Sequence, residues 1–129
     1  MGPRLLALLL CHGVTQDDDG RPVLNGLYDR VVLRSVPGVD DSVIYTKCVL
    51  APGDHNLMLV IVDLESGRET GRALHRVAIT PERAVHETTW SVSVRFDRLG
   101  RYVYRFLVDD EMIGFTTVDV VSFPTPSER

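Results

Sequence analysis

The sequence predicts an all-β chain: an antiparallel β-sandwich of seven to eight strands with little or no helix, a small closed β-barrel being the alternative. Three observations point there. Apolar or alternating stretches recur at intervals of roughly 8 to 12 residues, separated by Gly, Pro, Asp and Asn. No segment keeps a 3.6-residue apolar period over the roughly ten residues that a helix wants. Thr88 to Phe96 alternates cleanly, with Trp90, Val92, Val94 and Phe96 on one face and Ser91, Ser93 and Arg95 on the other.

Taken in order, Leu5 to Cys11 is an apolar run that fits a fully buried first strand. Its apolar stretch is short for a leader, and Leu10 stands where a lipidated cysteine would need a small residue. Read as a strand, it places the chain in the cytoplasm; export is the alternative if residues 1–11 act as a leader. Thr15 to Pro22 is a loop around Asp17-Asp18-Asp19-Gly20, which lacks the alternate ligands and later Glu of an EF-hand. Val23 to Leu33 is a strand broken at Asn25-Gly26, in which at least one of Asp29 and Arg30 is expected to face the core side unless a bulge intervenes. Ser35 to Asp41 reads as a loop, Val43 to Leu50 as a strand and Ala51 to Asn56 as a turn. Leu57 to Leu64 is apolar on both faces. Arg72 to Thr80 follows as a weaker strand stopped by Pro81, and Glu82 to Glu87 has room for a single helical turn. Arg101 to Asp109 puts Tyr102, Tyr104, Phe106 and Val108 on one face. If Asp110-Glu111 is the turn, Val108 faces Ile113, Phe106 faces Phe115 and Tyr104 faces Thr117. The domain spans 1–121, and 122–129 is a tail marked by Pro124 and Pro126.

Gly100, Tyr102 and Tyr104 enter a strand after a Trp-bearing one, which resembles the tyrosine corner of immunoglobulin-like domains. The sandwich is therefore expected to be immunoglobulin-like, although no cysteine follows the tyrosine.

The chain has 129 residues, a net charge of -4 and acidic and basic positions interspersed along it. That balance gives duplex nucleic acid or an anionic membrane no electrostatic footing. Of the 14 basic residues Lys47 is the only lysine, a bias that by itself marks no site. Cys11 and Cys48 sit where small buried hydrophobes would serve and read as free core thiols. The four histidines lack a second ligand at metal spacing, so no metal or cofactor is expected. No nucleophile elbow, Walker motif or G-x-G-x-x-G is present, and the Asp109-Asp110-Glu111 cluster reads as a turn. An enzyme is not expected.

Arg95, Arg98, Arg101 and Arg105, interleaved with Phe96, Tyr102 and Tyr104, would suit single-stranded nucleic acid if they shared a surface. Alternation instead turns the aromatics to the face opposite Arg101 and Arg105. That opposite face is the candidate interaction site, with Val103, Arg105, Leu107, Val118 and Val120 read as one surface. Apolar residues there and along Leu57 to Leu64 exceed what one core requires, and the surplus suits a protein partner or a homodimer.

Ala7-Leu8-Leu9-Leu10-Cys11 through Asn25-Gly26-Leu27-Tyr28-Asp29-Arg30, together with Gly100-Arg101-Tyr102 through Phe106-Leu107-Val108-Asp109, resemble a bacterial family of small proteins of unknown function. The resemblance implies a cytoplasmic β-protein and carries no activity; His12 stands where that pattern has an acid. Tyr104 to Asp109 is also similar to the last strands of glycogen-binding modules, which rely on exposed aromatics. The expected role is a non-enzymatic interaction or accessory protein, with carbohydrate binding as the runner-up.

Overall fold

The computed structural model describes residues 2–123. Ten strands follow in chain order: β1 (Arg4–Cys11), β2 (Gly13–Gln16), β3 (Pro22–Asn25), β4 (Arg30–Leu33), β5 (Gly38–Val49), β6 (Gly53–Asp63), β7 (Glu69–Ile79), β8 (Val85–Phe96), β9 (Gly100–Val108) and β10 (Glu111–Ser122). Among the described residues there is no helix, and hence none long and apolar enough to cross a membrane. The room for a helical turn at Glu82–Glu87 is taken by a turn and by the start of β8. The expected tail lies, beyond Phe123, outside the described residues.

The strands form a three-stranded sheet, β1-β5-β8, a five-stranded sheet, β4-β10-β9-β6-β7, and a small β2-β3 hairpin. In immunoglobulin lettering the first sheet is A-B-E, and β10-β9-β6-β7 is G-F-C-C′. β4 adds a parallel strand beside β10, pairing Arg30 with Asp119 through Leu33 with Ser122. Two sheets with separate edges make a sandwich rather than the closed barrel. At the start of β9 the Tyr102 hydroxyl donates to the Arg98 carbonyl at 2.7 Å, which is the hydrogen bond of a tyrosine corner.

The strand count exceeds the seven to eight expected because the first third of the chain is cut finely. The stretch read as one broken strand, Val23 to Leu33, divides into β3 and β4, and β2 precedes the acidic turn. Asp29 and Arg30 are both exposed, because β4 begins only at Arg30 after a bend and Val31 is its first inward side chain. β5 starts at Gly38, well inside the expected loop, and pairs with β8 along its whole length.

The core lies between the sheets. β8 contributes Trp90, Val92, Val94 and Phe96, and β9 contributes Tyr102, Tyr104, Phe106 and Val108, as their alternation requires. Each such ring or aliphatic side chain stabilises the fold by about 1.5–3 kcal/mol through removal from water. Phe96 meets Tyr102 edge-on at 4.7 Å between centroids, and Trp90 meets Phe106 edge-on at 6.4 Å. The Trp90 Nε1–H is satisfied by Thr46 Oγ1 at 2.9 Å. On the flank where β1 lies against β10, Leu5 fills the space a side chain at Gly114 would take.

Candidate functional site

The β9-β10 hairpin decides which residues share the outer face of the five-stranded sheet. Its turn is Asp109-Asp110, one residue earlier than expected, with both residues at positive φ (49° and 69°). This mirror-image turn suits the strand twist and is normally made by Asn-Gly. Here Asp109 is held from outside the turn: its Oδ1 accepts the Asn56 N–H at 2.9 Å, and its Oδ2 lies 2.7 Å from His55 Nδ1. The backbone of Asn56 also accepts the Asp109 N–H at 2.9 Å.

The expected register changes accordingly. Val108 pairs with Glu111, Phe106 with Gly114, Arg105 with Phe115 and Tyr104 with Thr116, with a bulge between Met112 and Gly114. The extra residue flips every later side chain to the opposite face. Val118 and Val120 therefore point inward, each 1 % exposed in the main core, and not onto the surface expected for them. Phe115 moves the other way. It leaves the proposed pair with Phe106 and stands 59 % exposed beside Arg105.

Val103, Arg105 and Leu107 do stay together on the outer face. There Val103 packs with Val60 and Val62 of β6 in a small second cluster, against which Met58 and Leu107 are half-buried. This is why Leu57 to Val62 is apolar throughout: Leu57, Leu59 and Ile61 face the core, and Met58, Val60 and Val62 face outward. Cross-strand register then sets Leu74, Met58, Leu107 and Met112 in one row over four strands. The row ends in Leu74 at 54 % and Met112 at 50 % exposure. Sequence reading missed Leu74, Met112 and Phe115. The all-apolar run of β6 signalled the face, but nothing local marks Leu74, and Phe115 was displaced by the bulge.

The arginines do not form one basic surface. Arg95 Nε binds Asp97 at 2.8 Å, Arg98 Nε binds Asp63 at 2.8 Å and Arg101 Nε binds Asp119 at 3.1 Å. The Arg98 pair is the best shielded, since Asp63 is buried and also accepts the Glu65 and Ser66 N–H groups. The Arg98 hydrogen bond, helped by those two, brings the Asp63 pKa down to about 2. Cys11 and Cys48 are free and buried, and burial pushes the Cys48 thiol up to about 11.

The sequence matches a family of unknown function, DUF6941, over residues 6–121. The chain belongs to this family. No curated protein matches it. Among solved structures it is similar to a glycosyl hydrolase family 2 member from Bacteroides cellulosilyticus, at TM-score 0.56 and 12% identity, covering 91% of this chain and 15% of that one. The chain thus spans a small part of that enzyme, and the likeness is one of fold. An immunoglobulin-like protein from Pseudomonas aeruginosa, PA1606, aligns at TM-score 0.44 and 12% identity over 93% of this chain and 97% of its own. The Pseudomonas fluorescens alkylpurine DNA glycosylase AlkC aligns at TM-score 0.43 and 10% identity, over 92% of this chain and 30% of that one.

Proposed function

We propose that this DUF6941 member is a non-enzymatic interaction protein that pairs with a second copy of itself through the outer face of its five-stranded sheet. The observation that carries the reading is the apolar row Leu74, Met58, Leu107 and Met112, with Phe115 exposed next to it. Burying such a row stabilises a contact by about 25 cal/mol per Å² of apolar surface, before the costs of association.

Charge placement favours a second copy as the occupant. On the β9-β10 hairpin Arg105 lies on one side of the Leu107–Met112 pair and the Asp109-Asp110 turn lies on the other, Glu111 standing opposite the inward-facing Val108. A two-fold axis through that pair lays each Arg105 over the acidic end of its partner, the self-complementarity an isologous interface needs. Protein contact is favoured over carbohydrate because Trp90, the one tryptophan, is 5 % exposed and packed edge-on against Phe106, so it offers no stacking platform. Hits on a glycan array would reverse that preference.

Sedimentation and light scattering test the pairing. The wild-type chain is expected to be a dimer, and Leu107→Asp and Phe115→Asp to be monomers with unchanged far-UV circular dichroism. Arg105→Glu should weaken the dimer and Asp110→Arg in the same chain should restore it. A monomeric wild type at high concentration, or a Leu107→Asp variant that still dimerises, overturns the proposal.

A further inference from the structure

β7 ends the five-stranded sheet and β8 ends the three-stranded one, so the two strands close one side of the sandwich with no backbone ladder between them. Side chains alone hold that side. From Gly71 to Val77 the inward positions of β7 are Gly71, Ala73, His75 and Val77, none of them fully buried. Facing them, β8 turns His86, Thr88 and Trp90 inward. His75 spans the gap. Its ring stacks on His86 with centroids 5.9 Å and planes 18° apart, and it meets Trp90 edge-on at 6.0 Å.

The surroundings of His86 suit a neutral ring. Its Nε2 is buried without a hydrogen-bond partner among the described residues, as is Thr88 Oγ1 two residues on. A bare lone pair loses little there, whereas a proton on that nitrogen would meet no acceptor. Neither His75 nor His86 takes part in the ion pairs among the described residues. The charged and titratable groups that reach His86 are His75 from β7, Arg83 from the turn before β8, Glu87 from β8 itself and the Cys48 thiol from β5. Glu87, the one acid among these, accepts the Tyr45 hydroxyl at 2.6 Å. On the β6 side His75 stands opposite the apolar Leu57, and the next inward residue, His55, already has both ring nitrogens bound. Burial first, then His75 and Arg83, lowers the His86 pKa below its usual value.

We propose that the His75–His86 stack is a pH-sensitive latch: with both rings neutral it holds β7 against β8 over Trp90, and with both protonated it lets that edge open. Two unit charges at the ring spacing of 5.9 Å shift the opening equilibrium by between about threefold and a hundredfold, as the local dielectric falls from that of water to that of a protein surface. The closed edge takes up its proton less readily than a free imidazole does. Opening therefore gains as pH falls below about 6.5, and is indifferent to pH above it. The latch lies within one chain and does not rest on the pairing proposed above.

Trp90, the one tryptophan, reports the opening, because its indole N–H donates to Thr46 Oγ1 at 2.9 Å inside the closed edge. The test follows hydrogen exchange of that N–H by NMR in the full chain. After correction for the intrinsic pH dependence, its protection factor should fall by about threefold or more between pH 8 and pH 5, with unchanged far-UV circular dichroism. His75→Phe keeps a ring on His86 but removes one charge, and should abolish most of the fall; His86→Phe should do the same. If His86→Phe does not fold, His75→Phe at its exposed position carries the test. A protection factor that does not change with pH, an equal fall in His75→Phe, or a loss of protection shared by every strand overturns the proposal.

Discussion

His55 shows how one side chain can be read for its protonation state. Its Nδ1 lies 2.7 Å from Asp109 Oδ2 and its Nε2 lies 2.7 Å from the Ala51 carbonyl. Both partners only accept, so both ring nitrogens must donate, and the imidazolium is the form that fits. The Asp109 hydrogen bond first, and the Ala51 bond second, raise the His55 pKa above its usual value. Asp109 is lowered, first by the Asn56 N–H and then by His55. The signs fix a window. A raised histidine stabilises the fold below about pH 6.5 and loses that contribution as pH rises through its folded pKa; a lowered aspartate keeps its contribution above about pH 4. His55→Gln should therefore cost about 1 kcal/mol at pH 5, a modest figure because Asp109 is half exposed, and much less at pH 9. Urea denaturation of both proteins at the two pH values measures the gap. A gap that stays constant or widens with pH would refute the imidazolium.

At the scale of the element, the β9-β10 hairpin carries a strain that its sequence can relieve. Asp109 earns its positive φ through contacts with Asn56 and His55, but Asp110, at φ 69°, makes no side-chain hydrogen bond among those found. Asp110→Gly should stabilise the chain by about 0.5–1 kcal/mol, because glycine enters the left-handed region without the Cβ penalty. A lower denaturation midpoint for the variant would contradict this. The same hairpin shows what could be read in advance. The core faces of β8 and β9 were legible because each alternates without interruption from Trp90 to Phe96 and from Tyr102 to Val108. The face of β10 was not, because one bulged residue at Ile113 leaves no local mark and reverses Val118 and Val120. The start of β5 was missed for another reason. Its inward positions there are Asp40 and Ser42, which satisfy one another and Tyr104 instead of presenting apolar side chains. A period-2 reading looks for hydrophobicity and passes over a polar network packed inside a sandwich. The candidate face was half legible: β6 announced it, and register across four strands completed it.

The whole sandwich raises the question of what ties its sheets together without a disulfide. In antibody domains a cystine joins strands B and F, two residues beyond the corner tyrosine. Here Cys48 lies on β5, the B strand, but the F-strand position two after Tyr102 is Tyr104. The B–F link is made instead by the Ser42–Tyr104 hydrogen bond, with Tyr104 fully buried and its hydroxyl pKa pushed up mainly by that burial. Cys48 has no cysteine to join. Cys11 pairs with Val43 on β5 while Cys48 pairs with Leu5, so the two thiols are separated by several residues along adjacent strands, at about 3.3 Å each. That span exceeds the roughly 7 Å limit on Cα separation for a disulfide. Stability should consequently be indifferent to reductant, with the same urea midpoint in the presence and absence of a thiol reagent. Tyr104→Phe should lower stability by about 1–2 kcal/mol, since Ser42 loses its donor where both residues are fully buried. If a reductant lowers the midpoint, or Tyr104→Phe leaves it unchanged, the hydrogen bond is not the tie between the sheets. The core rings would then hold them alone.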